Sequence, residues 1–172
     1  LFCGLQKPPQ KNIRRNMAEN LTIRYAERAD LPLILQLVKE LAHYERAPEE
    51  VWVTIEDYEN CFKSVFDAIL AESEGVVVGM ALYYMTFSTW KGKMLHLEDF
   101  IVTERQRGKG IGKKLFDAVL EEAQKQDVKL MRWQVLDWNE PAIGFYKKYD
   151  VTFEKEWWNV KILFTGPDGF LN

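Results

Sequence analysis

Residues 95–115 read Leu95-His-Leu-Glu-Asp-Phe-Ile-Val-Thr-Glu-Arg-Gln-Arg-Gly-Lys-Gly-Ile-Gly-Lys-Lys-Leu115. In the first half Leu95, Leu97, Phe100, Ile101 and Val102 are apolar, and the run ends in aromatic and β-branched residues, which predicts a strand. A polar turn follows over residues 103–107. Gly108, Gly110 and Gly112 then alternate with Arg107, Lys109, Ile111 and Lys113, and Ile111, Leu115, Val119 and Ala123 recur every fourth residue, so a helix starts within the glycines. A helix start leaves backbone N–H groups without internal partners, and its dipole and the flanking cations favour an anion. Glycines let the backbone approach a diphosphate closely. The stretch therefore reads as a pyrophosphate cradle fed by a strand, or, more plainly, as a strand–turn–helix with a glycine loop. A Walker loop would need Gly-Lys-Ser/Thr after four spacers, and a dinucleotide fingerprint would need G-x-G-x-x-G; neither is present.

Working outward, 172 residues suit one domain with a sizeable core, and the plentiful aromatics exclude disorder for most of it. No apolar run approaches the ~20 residues of a membrane-crossing helix. Cys3 and Cys61 have no metal or redox spacing, and Cys61, in an amphipathic stretch, reads as a buried thiol; His43 and His96 form no metal motif and read as structural; the cysteine usage suits a reducing, cytoplasmic setting. The net charge is −3, and the four cations of residues 1–16, unaccompanied by acids, leave the remainder at −7. An acidic body argues against nucleic acid as the main partner and is compatible with a cationic small substrate.

Residues 1–20 are basic and aperiodic and contain Pro8-Pro9, so they read as a leader or added segment outside the fold, with Met17 as a natural start and a transit peptide as the alternative. Residues 21–172 read as one domain. Residues 21–25 predict a strand. Asp30 is expected to cap a helix faced by Leu31, Leu33, Ile34, Leu37, Val38 and Leu41, and Thr54 a second one running to about Cys61. Strands are expected at 67–73, 76–86, 94–102, 130–135, 151–158 and 160–164, with helices over 110–126 and from Pro141 through Tyr149. Such an order implies a mixed, mostly antiparallel α/β sheet flanked by helices.

Two sets of residues could carry chemistry. Glu98 and Asp99 are adjacent acids in an apolar strand, and simple alternation puts them on opposite faces. They could be one solvated acid and one structural ion pair, or they could serve an amine. Freeing an alkylammonium of pKa ~10.4 at pH 7 costs roughly 4.6 kcal/mol, and a carboxylate can both bind that cation and accept its proton. Tyr146, seven residues after Asn139, could pack its helix on the sheet or donate a proton to a departing thiolate, whose acid has a pKa near ~8.5.

Arg107-x-x-Gly110-x-Gly112 directly after a strand resembles the acyl-CoA motif of the GCN5-related N-acetyltransferases (GNAT), and Leu97-Glu98-Asp99 strengthens the likeness. With Tyr44-Glu45, Trp90-Lys-Gly92 and Trp138-Asn139-Glu-Pro-Ala-Ile-Gly-Phe-Tyr146 added, the chain resembles the spermidine/spermine N1-acetyltransferase group and its thialysine-acetylating branch over about residues 21–165. The resemblance implies the GNAT fold, acetyl-CoA as co-substrate, no metal, and direct transfer to a diamine, polyamine or lysine-like amine. It implies that Phe100, Ile101 and Val102 pair their backbone with the pantetheine arm. Arg107, Gly108, Lys109, Gly110, Ile111, Gly112 and Lys113 would hold the pyrophosphate, and Asn139, Ala142 and Tyr146 would line the co-substrate. Tyr146 would be the general acid and Glu98 the group that activates the amine. Tyr44, Glu45, Trp90, Asp99 and Glu156 would shape the acceptor end with Glu98. It also implies a homodimer joined through terminal strands. Two departures stand out: Tyr149-Asp150-Val151 lacks the group's glycine, and Trp157 stands where the group has glycine near the acceptor. A protein lysine or N-terminus as acceptor, and a CoA-binding module without catalysis, are the alternatives.

Overall fold

The computed structural model describes residues 21–166 and 169–170, so the expected leader of residues 1–20 lies outside the described residues. The elements run β1 Leu21–Tyr25, α1 Leu31–Tyr44, α2 Ile55–Cys61, β2 Asp67–Ser73, β3 Val76–Ser88, β4 Gly92–Val102, α3 Ile111–Lys125, β5 Leu130–Arg132 and α4 Glu140–Tyr146. A two-residue ladder, β6 Thr165–Gly166 with β7 Gly169–Phe170, stands apart from the main sheet. That sheet has the order β1-β2-β3-β4-β5, antiparallel throughout except for the parallel β4–β5 pair. The expected mixed, mostly antiparallel sheet is present.

Each face of the sheet carries its own apolar layer. On one, Ile69, Ala81, Leu95 and Leu97 meet Leu115, Phe116 and Val119 of α3 and Tyr146 of α4. On the other, Leu70, Met80, Leu82 and Ile101 meet Leu31, Ile34 and Leu37 of α1 and Tyr58 of α2. Full burial of side chains of this size contributes about 1.5–3 kcal/mol each, so both layers hold β4 between them. Asp30 departs from its expected role. It precedes α1 but makes no side-chain cap; its carboxylate takes bonds from Arg24 at 2.7 and 2.9 Å and from the Glu27 N–H at 2.8 Å. Thr54 does cap α2, reciprocally with Asp57.

Strand β4 contains the irregularity that matters. Leu82 of β3 faces Asp99, but the next residue, Tyr83, faces Leu97, so Glu98 is an extra residue with no partner. Such a bulge reverses which residues face which side. Before it Leu95 and Leu97 point to the α3 layer; after it Val102 and Phe100 do so, and Ile101 turns to the α1 layer. The expectation that Glu98 and Asp99 point to opposite faces is therefore wrong, because it assumes unbroken alternation.

The strands expected at 151–158 and 160–164 are absent as regular elements, and β5 ends at Arg132 rather than Val135. A strand needs a neighbour for its backbone groups and a layer for its apolar face. Here the segment touches the end of β5 and the residues just after it through side chains, Arg132 to Glu154 at 3.3 Å and Gln134 to Asn159 at 2.8 Å. Trp157, Trp158, Val160, Ile162 and Phe164 are exposed.

Candidate active site

The parallel pair β4–β5 lasts for three residues, Met94–Leu130, Leu95–Met131 and His96–Arg132. Beyond it β4 continues to Val102 without a β5 partner, so the edge carrying Phe100, Ile101 and Val102 is open. At the end of this edge the chain enters the glycine loop. Gly108 and Gly110 have φ of 75° and 80°, and Gly110 is the residue at which α3 begins. A side chain is strained in that left-handed region, which is why glycine stands there. An open strand edge leading to a helix N-terminus, flanked by Lys109 and Lys113, fits a long polar arm that ends in a diphosphate. The side chains around it are mutually engaged. Arg107 donates from Nε to the Val102 carbonyl at 2.9 Å and stacks its guanidinium 4.5 Å above the Tyr44 ring. Tyr44 donates to Asn139 Oδ1 at 3.1 Å, and the same oxygen caps α4 by accepting from Ala142 N–H at 3.2 Å. Lys113 pairs with Asp117 at 2.6 Å, and Lys109 with Gln106 at 2.7 Å.

The bulge sends Glu98 and Asp99 into one hollow of about 410 Å³, whose walls include Glu50, Trp52, Asp57 and Tyr58. Burial pushes the Asp99 carboxyl up to about 7, with help from Glu98 and then Glu45. Burial also raises the Glu45 carboxyl. In the α3 layer, Tyr146 is buried among Phe116, Trp133 and Phe145, with ring centroids 5.7, 5.1 and 5.3 Å away. Burial, and after it Glu45, raise its phenol well above the ordinary value, so it holds its proton. Glu45 thus acts on both Asp99 and Tyr146, and the chemistry available here is a set of proton acceptors and a proton donor within reach of one shared charge.

Not every expected acceptor residue converges. Glu98 and Asp99 line the hollow and Glu45 acts on it, while Tyr44 faces Arg107 and Asn139. Trp90 sits in the β3–β4 turn, 81% exposed, and Glu156 lies in the exposed stretch, where it accepts the Lys155 N–H at 3.0 Å. That stretch still reaches the hollow: Lys161 Nζ is 3.1 Å from Glu50. Sequence reading missed Trp52, which lies in the aperiodic α1–α2 loop, and Asp57 and Tyr58 in the first turn of α2, where a capping acid and an apolar-face aromatic carry no functional signal of their own. His96, expected to be structural, has its Nε2 3.5 Å from Glu98.

Among the described residues no cluster of His, Cys, Asp and Glu could hold a metal ion, and no helix is long and apolar enough to cross a membrane. The sequence model of the Acetyltransferase (GNAT) family matches residues 31–150. The chain is 36% identical over 149 residues to a thialysine N-epsilon-acetyltransferase of Bos taurus, covering 78% of this chain and 88% of the relative. It is 33% identical over 158 residues to a spermidine/spermine N(1)-acetyltransferase-like protein 1 of Homo sapiens, covering 84% of this chain and 23% of that longer protein. Among solved structures, an aminoglycoside acetyltransferase from an uncultured soil metagenomic sample superposes with a TM-score of 0.73 at 19% identity, over 86% of this chain and 98% of the other. That likeness concerns the fold.

Proposed function

The chain belongs to the acetyltransferase (GNAT) family, and from that premise we propose that it moves the acetyl group of acetyl-CoA to a primary amine of a small cationic acceptor: a diamine, a polyamine or a lysine-like amino acid such as thialysine. The observation that carries this reading is the bulge, which turns Glu98 and Asp99 into one acidic hollow beside the open edge of β4. A carboxylate-walled hollow of this size suits an alkylammonium better than an anion or a neutral amide. The relatives named for thialysine and spermidine/spermine acetylation support the same substrate class.

Bound acetyl-CoA supplies the activated thioester carbonyl. Phe100, Ile101 and Val102 offer it their free backbone groups, the loop from Arg107 to Lys113 its N–H groups and cations, and Asn139 and Ala142 the start of α4. Arg107 and Tyr44 shift from each other to admit it. Glu98 takes a proton from the ammonium; the freed nitrogen forms the new C–N bond as the C–S bond breaks, and it releases its second proton to water. Tyr146, kept protonated by burial, gives its proton to the departing sulfur and is reprotonated from water. Backbone N–H groups at the bulge polarise the carbonyl, as an oxyanion hole does. Trp90 and Glu156 join the acceptor end from the hairpin turn and the C-terminal stretch, and the working unit is a cytoplasmic homodimer whose interface takes up the exposed apolar residues after Trp157.

The test is thiol release from acetyl-CoA with spermidine, spermine, putrescine, lysine and thialysine. Turnover with one class names the acceptor. Binding of acetyl-CoA with no turnover on any of them overturns the small-amine reading. A protein lysine is the second reading, favoured by one observation, the peptide-borne Lys161 ammonium at Glu50. Acetylated Lys161 or acetylated lysine peptides by mass spectrometry, without small-amine turnover, would establish it. Absence of both leaves a CoA-binding module.

A further inference from the structure

Glu98 is half-exposed, and once a substrate lies in the hollow its open side is covered. The proton it has taken then needs another exit. Two side chains lie against the carboxylate from behind. His96, two residues earlier on the same face of β4, places Nε2 3.5 Å from Glu98 Oε2. Tyr84, its register partner on β3, stacks on the imidazole with centroids 5.0 Å apart and planes 20° apart. One ring face of His96 is therefore fixed, while the side chain keeps 14% of its surface exposed, which gives it contact with water.

We propose that His96 is the positioning residue of Glu98, holding the carboxylate toward the hollow and passing its proton on to solvent. The proposal rests on the amine-acetylation reading above. The ammonium N–H bond breaks as an O–H bond forms on Glu98. That O–H bond then breaks as Nε2–H forms, and the imidazolium releases its proton to water, so one proton leaves per turnover and no redox change occurs. The step requires the tautomer with hydrogen on Nδ1, leaving Nε2 free to accept. Three groups face His96. Tyr84 comes from β3, and burial, then Glu98, hold its phenol neutral. Glu98 comes from its own strand. Arg132 stands opposite in β5, with its guanidinium committed to Glu154 at 3.3 Å. Tyr84 therefore does not compete for the proton.

The experiment compares wild type, His96→Gln, His96→Ala, Glu98→Gln and the His96→Gln/Glu98→Gln pair, using thiol release with the best amine of the panel. His96→Gln is expected to lower kcat about tenfold and to flatten the acid limb of the pH profile. The unfolding midpoint and the KM for acetyl-CoA should stay unchanged. Added imidazole should restore part of the His96→Ala rate, and the double variant should be no slower than Glu98→Gln. Wild-type rate and pH profile in His96→Gln overturn the proposal, and so does a His96→Ala loss that imidazole leaves untouched. Full turnover in Glu98→Gln overturns the underlying role of Glu98 instead; loss there with His96→Gln unaffected removes His96 alone.

Discussion

Tyr146 and Asp99 show how burial assigns proton roles to single residues. The phenol is shifted upward, so it remains a donor across neutral and mildly alkaline pH. Tyr146→Phe should lower kcat by about 10²-fold, the lower end of general-acid effects, and leave acetyl-CoA affinity intact; unchanged turnover in the thiol assay would remove it from the mechanism. Asp99 is shifted the same way, from 3.8 to about 7. A carboxyl that binds its proton more tightly when folded stabilises the fold fully below the unfolded value and loses that contribution as pH rises through the folded one. Wild-type stability should therefore fall between about pH 4 and 7, and Asp99→Asn should flatten that slope. Urea unfolding at pH 5.5 and 8.5 decides it: equal slopes in the two proteins would mean that Asp99 ionises normally.

At the scale of elements, α3 and its loop connect the co-substrate edge to the core. Gly110 sits at φ 80°, where a Cβ meets no neighbour but the backbone is unfavourable for any other L-residue. Gly110→Ala should cost about 1–2 kcal/mol and raise the KM for acetyl-CoA, read by thermal unfolding and by kinetics. Phe116 of α3 is fully buried and meets Phe100, Trp133, Phe145, Tyr146 and Tyr149 edge-on or tilted. Phe116→Ala should destabilise by about 3–5 kcal/mol and lower turnover by loosening Tyr146; a loss of stability with full activity would show that the phenol is placed by its own helix alone. These elements were legible in the sequence because periodicity, the glycine alternation and Thr54 or Pro141 at helix starts are local signals. The bulge was not, since nothing in Leu97-Glu98-Asp99-Phe100 distinguishes an extra residue from an ordinary pair of acids. The strands over 151–164 were over-read because alternation and β-branched residues announce a strand without saying what would pair with it.

The whole chain combines an acidic body with an apolar C-terminal stretch. Trp158 and Val160 are 89% and 92% exposed, values that large apolar side chains seldom keep when another surface can cover them. The proposed homodimer should therefore appear by light scattering at micromolar concentration, and Trp158→Asp should shift it toward monomer; a monomeric wild type at tens of micromolar would leave that stretch without this role. The extra residue in β4 also determines how the gene tolerates changes of length. Glu98 is the residue the ladder can spare: with its codon removed, Leu97 and Asp99 would follow one another as their partners Tyr83 and Leu82 do on β3. Phe100 and Val102 would still face α3 and α4, and Ile101 α1 and α2, so both layers would keep their side chains and only one acid of the hollow would go. A deletion scan along β4 would therefore find folded protein best preserved at Glu98, with turnover lost there, because that deletion straightens the ladder without turning any side chain over.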